Sequence, residues 1–174
     1  MKQKAVFLDR DGVINVEKDY LYKREDFEFI DGLFETLVYL KSLGFLFFVI
    51  TNQSGIGRGY YTKEDFATLT QWMVKRFEEE NITISQVEFC PHAPDFDCEC
   101  RKPKTGMIQN IAQNFEIDFE NSWLIGDKES DIECGKNSGI RNTIQVRSGH
   151  DFETSEADFV IDKLDLESIS KIIF

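Results

Sequence analysis

Two aspartates one residue apart follow the first apolar run of the chain. Ala5–Leu8 are apolar, Asp9 and Asp11 come next, and Gly12 follows. Apolar residues followed by turn-forming residues predict a buried strand leaving a sheet, and the two-residue period of a strand puts both carboxylates on roughly one side. Two carboxylates so close repel each other unless a cation neutralises them or one is protonated. The pair therefore predicts a site for a hard metal ion, for acid–base chemistry, or for both.

The apolar pattern of the rest of the chain predicts alternating strands and helices. The continuous apolar run at 45–50 is typical of a strand buried on both faces of a parallel sheet. Strands are expected at 45–50, 86–90, 122–127, 141–146 and 157–161, and helices at 31–44, 62–77, 105–115, 130–138 and 164–173, with 12–30 irregular. The predicted fold class is α/β: a Rossmann-like, open, mostly parallel sheet with helices on both faces.

Capping residues are expected at the starts of three of these helices. Asp31 and Thr105 are expected N-caps, and Thr62 is expected to form a capping box with Asp65. The residues expected to face the core in the helix at 105–115 are Ile108, Ile111, Ala112 and Phe115.

Polar residues follow four of the predicted strands. Because ligands of open α/β sheets bind beyond the carboxyl ends of the strands, these residues are expected to share one rim. They are Asp9 and Asp11, Thr51 and Asn52, the segment 90–102, and Asp127. Four strand ends that converge on one rim indicate a site more strongly than any single motif does.

The carboxylates at this rim have a chemical use and a structural alternative. Asp9 is suited to act as a nucleophile, because carboxylate attack on phosphorus gives an acyl phosphate that water can hydrolyse. Asp11 is suited to protonate the leaving oxygen and then to deprotonate that water. Asp127, with Asp131 one helical turn further on, is suited to bind Mg²⁺ beside Asp9. The structural alternatives are Asx turns for the first pair and helix-start acidity for the second.

Two further groups are suited to bind phosphate. A glycine-rich segment follows Thr51, and its backbone N–H groups, together with the Thr51 hydroxyl, could donate to phosphate oxygens. The alternatives are a glycine-rich turn and an incomplete dinucleotide-binding loop. Lys102, next to Arg101 just before a helix, could neutralise phosphate charge, and a solvated charge pair is its alternative.

Three cysteines and a histidine lie within eleven residues. Cys90, His92, Cys98 and Cys100 fit a closed tetrahedral Zn²⁺ site, which we expect to be structural because protein fills all four positions. The alternative is a chance cluster of buried or redox cysteines. The remaining cysteine, Cys134, is expected to be a buried core thiol.

The length and charge of the chain limit the classes of protein it can belong to. The 174 residues predict one domain over 1–174, and the apolar runs are too short to cross a bilayer. The formal charge of −12 argues against a nucleic-acid partner, since phosphate contacts need clustered Lys and Arg. Without a signal region at the N-terminus, the chain is expected to be cytoplasmic, and we expect a monomer.

Taken together, these motifs resemble the haloacid dehalogenase-like phosphohydrolases, and the matching order covers nearly the whole chain. A closer resemblance is to the D-glycero-D-manno-heptose 1,7-bisphosphate phosphatases, which are related to the histidinol-phosphate phosphatases. The segments that carry the closer resemblance are 7–15 (FLDRDGVIN), 26–29 (DFEF), 51–56 (TNQSGI), 90–92 (CPH), 98–103 (CECRKP) and 126–128 (GDK).

The resemblance implies a role for each matching position. Asp9 would be the nucleophile and a Mg²⁺ ligand, Asp11 the acid–base residue that binds Mg²⁺ through its backbone carbonyl, and Asp127 the remaining Mg²⁺ ligand. Thr51 and Lys102 would stabilise the phosphoryl group. The residues implied to contact a sugar bisphosphate are Glu17, Lys18, Asp19, Tyr20, Asn52, Gln53, Ser54, Arg101 and Lys128. The chain offers no segment long enough for a separate cap domain.

Charge at the rim distinguishes the two related activities. A bisphosphate needs additional cations, which Lys18, Arg58, Arg101 and Lys128 offer. Histidinol phosphate carries an ammonium group and would need a carboxylate, which Glu17 or Asp19 could supply. The loop between Cys90 and Cys98 is short, as in the histidinol-phosphate phosphatases. The matches at 26–29 and 51–56 favour the heptose bisphosphate and removal of its C7 phosphate. Two other classes remain as alternatives: a sugar phosphomutase, and a non-catalytic binding module stabilised by zinc.

Overall fold

Six parallel strands form one sheet in the computed structural model, which describes residues 1–174. The strands are β1 (Ala5–Leu8), β2 (Leu46–Asn52), β3 (Ile84–Cys90), β4 (Trp123–Gly126), β5 (Asn142–Val146) and β6 (Phe159–Ile161). Their order across the sheet is β3-β2-β1-β4-β5-β6. The first strand in sequence is therefore central. β2 and β3 follow it on one side, β4, β5 and β6 lie on the other, and the strand order therefore reverses at β1. This confirms the predicted open, parallel α/β sheet.

Helices cover both faces of this sheet. They are α1 (Leu33–Ser42), α2 (Ser54–Gly57), α3 (Lys63–Glu79), α4 (Gly106–Asn114), α5 (Glu129–Asn137) and α6 (Leu166–Ile169), with single 3₁₀ turns at Arg24–Asp26 and Phe119–Asn121. Val6 and Leu8 pack with α1 and α3 in one core cluster, whereas Ala5 and Phe7 pack with α4 and α5 in the other. The alternation of β1 side chains between the faces explains why the whole strand is apolar.

The structure corrects several predicted helix boundaries. Gly32, with φ +84°, is the N-cap of α1, so Asp31 does not cap it, and Thr105 occupies the N-cap position of α4 without a side-chain hydrogen bond. The Thr62–Asp65 capping box of α3 is confirmed, with hydrogen bonds in both directions.

Two predictions of buried helical surface are also corrected. Ala112 is exposed, because Met107 takes the buried position in the first turn of α4 together with Ile108 and Ile111. The predicted helix at 164–173 shrinks to the four residues of α6. The buried residues there, Leu164, Ile169 and Ile173, do not keep the three- and four-residue spacing of one helical face throughout.

The carboxyl end of β2 runs two residues further than predicted. Thr51 and Asn52 belong to the strand because they pair with Phe89 and Cys90 of β3. The glycine-rich segment after them is not an open loop, since it contains the single turn of α2. As a result the ends of β1, β2, β3 and β4 lie side by side at one edge of the sheet. None of the helices combines the length and the hydrophobicity that a bilayer-spanning segment needs.

Candidate active site

A polar cavity of about 280 Å³ lies at this edge of the sheet. Its position agrees with the rule that parallel α/β sheets bind ligands where the strand order reverses, here between β2, β1 and β4. The residues that line it are Asp9, Asp11, Glu17, Asp19, Tyr20, Asn52, Gln53, Ser54, Arg58, Tyr61, Arg101, Lys102, Asp127, Lys128, Ser130, Asp131 and His150.

Asp9 and Lys102 form a buried ion pair at the end of β1. The Lys102 ammonium donates to Asp9 Oδ1 at 3.0 Å and to the Ile50 carbonyl at 2.8 Å, and its distance to Asp131 Oδ1 is 2.6 Å. Burial and then the charge of Asp131 raise the pKa of Asp9 well above its usual range, against the opposing effect of Lys102. Burial lowers the pKa of Lys102, but the ion pairs with Asp131 and Asp9 outweigh it and raise that pKa. Lys102 thus holds a positive charge at the bottom of the cavity.

Asp11 is held by three side chains. Arg10, which is almost fully buried, donates to both Asp11 carboxylate oxygens at 3.0 and 3.1 Å and to the Leu21 carbonyl at 2.9 Å. Asn15 donates to Oδ1 at 3.0 Å, and Gln53 donates to Oδ2 at 3.1 Å. The carboxylate of Asp11 therefore has a fixed orientation at the cavity wall.

Gln53 links Asp11 to Thr51. Its amide nitrogen also donates to Thr51 Oγ1 at 2.8 Å, while its carbonyl oxygen accepts from the Tyr61 hydroxyl. Because the Asp11 carboxylate only accepts hydrogen bonds, the nitrogen of the amide faces Asp11 and its oxygen faces Tyr61. Thr51 is buried and does not line the cavity, because the Gln53 amide is bonded to its hydroxyl.

Asp127 is a buried carboxylate with only one of its oxygens paired. Oδ2 is 2.5 Å from Nδ1 of His150, whereas Oδ1 is buried without a hydrogen-bond partner. Burial and then the charge of Asp131 raise the pKa of Asp127 to about 7. The Asp131 side chain accepts from the backbone N–H groups of Asp127 and Lys128 at 3.2 and 3.1 Å, which fixes the turn between β4 and α5.

The three acidic side chains at the bottom of the cavity carry more negative charge, when ionised, than the one paired cation can neutralise. One oxygen from each of Asp9, Asp127 and Asp131 lies within 4.8 Å of the other two, and Lys102 is the cation paired among them. An unpartnered buried carboxylate oxygen costs several kcal/mol by order of magnitude unless a cation or a proton meets it. The orphaned Oδ1 of Asp127 beside Asp9 thus fits a hard divalent cation such as Mg²⁺.

The cysteine cluster lies at the end of β3, next to the cavity. The Cys90–Cys100 and Cys90–Cys98 sulfur distances are 3.0 and 3.8 Å, and His92 Nδ1 is 3.2 Å from the Cys100 sulfur. A tetrahedral zinc site with Zn–S bonds of about 2.3 Å has S···S edges of about 3.8 Å. The Cys90–Cys98 distance matches such an edge and the Cys90–Cys100 distance is shorter, so the cluster fits Zn²⁺ by its donor types and their proximity. Burial and the hydrogen bond to Cys90 raise the pKa of Cys100 to about 12, since adjacent thiolates repel without a cation.

Asn52 attaches this cysteine-rich loop to the sheet. Its side chain accepts from the Lys102 backbone N–H at 3.0 Å and donates to the Lys102 carbonyl at 3.4 Å. The loop between Cys90 and Lys102 is thereby fixed at both ends, which places the Lys102 side chain under Asp9. The remaining cysteine, Cys134, is buried as expected and donates to the Lys104 carbonyl at 3.3 Å.

The structure brings nearly all of the residues suggested by the sequence to the cavity. Glu17, Asp19, Tyr20, Asn52, Gln53, Ser54, Arg101 and Lys128 line it. Lys18 does not, because its side chain points away and pairs with Glu28 at 3.4 Å. Arg58 lines the cavity in addition, with its guanidinium 5.8 Å from the centre of the Tyr20 ring.

Sequence reasoning missed the contributions of Arg10 and His150. Arg10 lies between the two aspartates, and a buried arginine there could have been inferred from the need to hold a carboxylate. His150 follows the end of β5, so the same strand-end rule that selected the other residues would have selected it too.

Comparisons with known proteins agree with this fold. A family model described as HAD-hydrolase-like matches residues 99–166. The D-glycero-alpha-D-manno-heptose-1,7-bisphosphate 7-phosphatase of Campylobacter jejuni is 48% identical over 159 residues, 91% of this chain and 89% of that protein. The D-glycero-beta-D-manno-heptose-1,7-bisphosphate 7-phosphatase of Helicobacter pylori is 49% identical over 142 residues, 81% of this chain and 82% of that protein.

A solved structure shows the same fold. The crystal structure of D,D-heptose 1,7-bisphosphate phosphatase from B. bronchiseptica, complexed with magnesium and phosphate, has a TM-score of 0.82 and 24% identity, and the match covers 97% of each chain. A parallel sheet whose central strand ends in two aspartates, together with the family match, defines the class of HAD-like hydrolases. The chain belongs, within that class, to the family of the D-glycero-D-manno-heptose 1,7-bisphosphate phosphatases.

Proposed function

We propose that this protein is a Mg²⁺-dependent phosphomonoesterase that removes the C7 phosphate of D-glycero-D-manno-heptose 1,7-bisphosphate, in the synthesis of nucleotide-activated heptose. The two relatives above, nearly half identical to the chain, carry the name of this 7-phosphatase. The observation that carries the proposal is the placement of Asp9, Lys102 and Asp127 together at the bottom of one cavity.

The proposed reaction has two steps on Asp9. In the first, a carboxylate oxygen of Asp9 attacks phosphorus, the bond from phosphorus to the sugar oxygen breaks, and Asp11 gives its proton to that oxygen. In the second, water attacks the phosphorus of the aspartyl phosphate, Asp11 takes a proton from the water, and the Asp9 carboxylate leaves. The hydrogen bonds from Arg10, Asn15 and Gln53 keep Asp11 oriented through both steps.

The metal site of the proposal consists of Asp9, the backbone carbonyl of Asp11, and Asp127. These are hard oxygen donors, and the unpartnered Asp127 Oδ1 supports the choice of a cation. When bound, Mg²⁺ supplies positive charge that offsets the phosphate and the clustered carboxylates. Lys102 supplies a second, permanent positive charge for the transferring phosphoryl group. Thr51 accepts a hydrogen bond from the Gln53 amide that also donates to Asp11, and we propose that it acts on the phosphoryl group only through this network.

The rest of the cavity is proposed to bind the sugar and its other phosphate. Arg58, Arg101 and Lys128 supply cations at the rim of a protein whose net charge is −12. A dianionic second phosphate is attracted to such a group of cations, and the Arg101 Nη1 atom is buried without a partner. The polar residues proposed to contact the sugar are Glu17, Asp19, Tyr20, Asn52, Gln53 and Ser54. Lys18 is left out of this set because it pairs with Glu28.

The cysteine cluster is proposed to bind a structural Zn²⁺. All four donors belong to the protein, so no ligand position is left for substrate or water. The hydrogen bonds of Asn52 to Lys102 make the cation position of the active site depend on the folded loop. We also propose that residues 1–174 form one domain and that the protein acts as a monomer in the cytoplasm.

A second candidate activity is hydrolysis of histidinol phosphate. The observation that favours it is the pair of carboxylates, Glu17 and Asp19, in the cavity wall, which could receive an ammonium group. Burial and the neighbouring Asp11 raise the pKa of Glu17, so the cavity would gain from a cation there.

A phosphate-release assay distinguishes the two activities. We expect a higher kcat/KM for D-glycero-D-manno-heptose 1,7-bisphosphate, tested as both C1 anomers, than for histidinol phosphate, and release of the C7 phosphate. The Asp9→Asn variant is expected to lose activity, whereas Asp162→Asn, a change of the same kind at an exposed position, is not. Preference for histidinol phosphate would replace the first candidate by the second, and an active Asp9→Asn variant would refute the mechanism.

A further inference from the structure

His150 is a cavity residue that the proposed reaction leaves without a role. It lies in the segment that follows β5, and its side chain is 41% exposed. Its Nδ1 atom is nevertheless 2.5 Å from Oδ2 of Asp127, a side chain that is only 1% exposed. A partly exposed histidine therefore makes a short, direct contact with the most buried carboxylate of the proposed metal site.

The two carboxylate oxygens of Asp127 have different surroundings. Oδ2 is enclosed by the backbone at Gly12 and Gly149, where an added Cβ atom would lie 2.6 and 2.1 Å from it. Any side chain at these two positions would displace the carboxylate. Oδ1 is equally buried but has no hydrogen-bond partner. The backbone thus packs against one oxygen of Asp127, whereas the other oxygen has no hydrogen-bond partner in the protein.

We infer that His150 is a positioning residue for Asp127: its Nδ1–H group binds Oδ2 and thereby keeps Oδ1 available as the magnesium ligand. The torsion about the Cβ–Cγ bond of an aspartate is broad, so packing alone does not fix which oxygen faces the metal. A hydrogen bond to one oxygen removes this freedom. Partners of this kind raise metal affinity about 10- to 100-fold at other metal sites. The inference rests on the proposed magnesium site.

Two other roles for His150 give different results. Because it lines the cavity, its second ring nitrogen could bind a substrate phosphate, and then a change of His150 would raise KM for the substrate without changing Mg²⁺ affinity. Glu17, Asp127 and His150 also have donor atoms within 4.8 Å of one another, so His150 could itself be a ligand for a softer metal. In that case a change of His150 would lower the affinity of the protein for Zn²⁺ but not its affinity for Mg²⁺.

The test is calorimetric titration of Mg²⁺ into the zinc-loaded, substrate-free protein. His150→Leu removes the donor, His150→Asn has nearly the same shape and keeps an N–H donor, and Asp151→Asn changes an exposed neighbour in the same segment. We expect Mg²⁺ to bind about tenfold or more weakly to His150→Leu, within about threefold of wild type to His150→Asn, and unchanged to Asp151→Asn. The rise in the unfolding temperature on adding Mg²⁺ should follow the same order.

Equal Mg²⁺ affinity of wild type, His150→Leu and His150→Asn would overturn the inference, and so would equal losses in the two variants. If His150→Leu unfolds in circular dichroism, His150→Ala replaces it as the variant without a donor. Wild-type protein that binds no Mg²⁺ would refute the metal site of the proposed function, and this inference with it. A wild type that binds Mg²⁺ as tightly as His150→Leu would refute the role of His150 alone.

Discussion

Replacing Asp127 by asparagine is expected to stabilise the metal-free protein while abolishing Mg²⁺ binding. Asp127 is buried beside Asp9 and Asp131, and Lys102 is the cation paired among these carboxylates. Asparagine has nearly the same shape as aspartate and can still accept a hydrogen bond from His150, but it carries no charge. The substitution should therefore remove repulsion and desolvation from the fold together with a ligand that we propose for the metal.

The magnitude follows from the raised pKa of Asp127. Its value in the fold is about 7, compared with an ordinary value of 3.8, because burial and then Asp131 disfavour the charged form. A rise of about three units corresponds to about 4 kcal/mol, since each pKa unit is worth about 1.4 kcal/mol. Between the two values the folded protein binds more protons than the unfolded chain, so the free energy of unfolding falls as the pH rises from about 4 to about 7. Above about pH 7 the free energy of unfolding has lost this whole contribution.

The assay is urea unfolding of zinc-loaded wild type, Asp127→Asn and the exposed control Asp162→Asn, without Mg²⁺, at about pH 5 and about pH 8. The variant should exceed wild type by up to about 4 kcal/mol at the higher pH and by less at the lower pH. Addition of Mg²⁺ should stabilise wild type and not Asp127→Asn. A variant no more stable than wild type at about pH 8, or a difference that does not depend on pH, would refute the reasoning.

Three further substitutions, and one control, test other parts of the site. Lys102→Met removes the cation paired with Asp9 and Asp131, and it should cost about 3 to 5 kcal/mol of unfolding free energy in urea and nearly all activity; wild-type stability would contradict the buried ion pair. Cys98→Ser should reduce the bound zinc found by metal analysis, and it should lower kcat because the same loop carries Lys102. Cys134→Ser, the control, should leave the zinc content unchanged. A full zinc content in Cys98→Ser would contradict the four-ligand site. Arg58→Ala should raise KM about tenfold for the heptose bisphosphate and much less for the 7-monophosphate, and equal effects on both substrates would exclude a role in binding the second phosphate.

The sequence allowed the sheet and the bottom of the cavity to be predicted because both follow from strand periodicity. β1 begins and ends at the predicted residues, Ala5 and Leu8, since a four-residue apolar segment followed by turn-forming residues is typical of a buried strand. Asp9 and Asp127 were placed correctly at the rim because parallel strands bring their carboxyl ends to one edge. The strand ends thus positioned side chains that lie more than 100 residues apart in the chain.

The irregular segments set the limit of the prediction. Lys18 and Glu28 are paired because Asn15 and Phe29 form an antiparallel bridge nearby. No periodic pattern in the sequence predicts such a bridge. Asp31 was expected to cap α1, but a left-handed backbone at Gly32 starts that helix instead. The contact of His150 with Asp127 depends on the close approach of Gly149, which only the folded structure displays.

The proposed mechanism requires that Asp9 becomes phosphorylated during turnover. Rapid mixing of the protein with heptose bisphosphate radiolabelled in the C7 phosphate, followed by an acid quench and phosphopeptide mass spectrometry at low pH, tests it directly. We predict a covalent phosphoryl group on the peptide that contains Asp9, formed no later than the first turnover and absent from Asp9→Asn. Release of phosphate without any covalent label, or a label on a residue other than Asp9, would contradict the account.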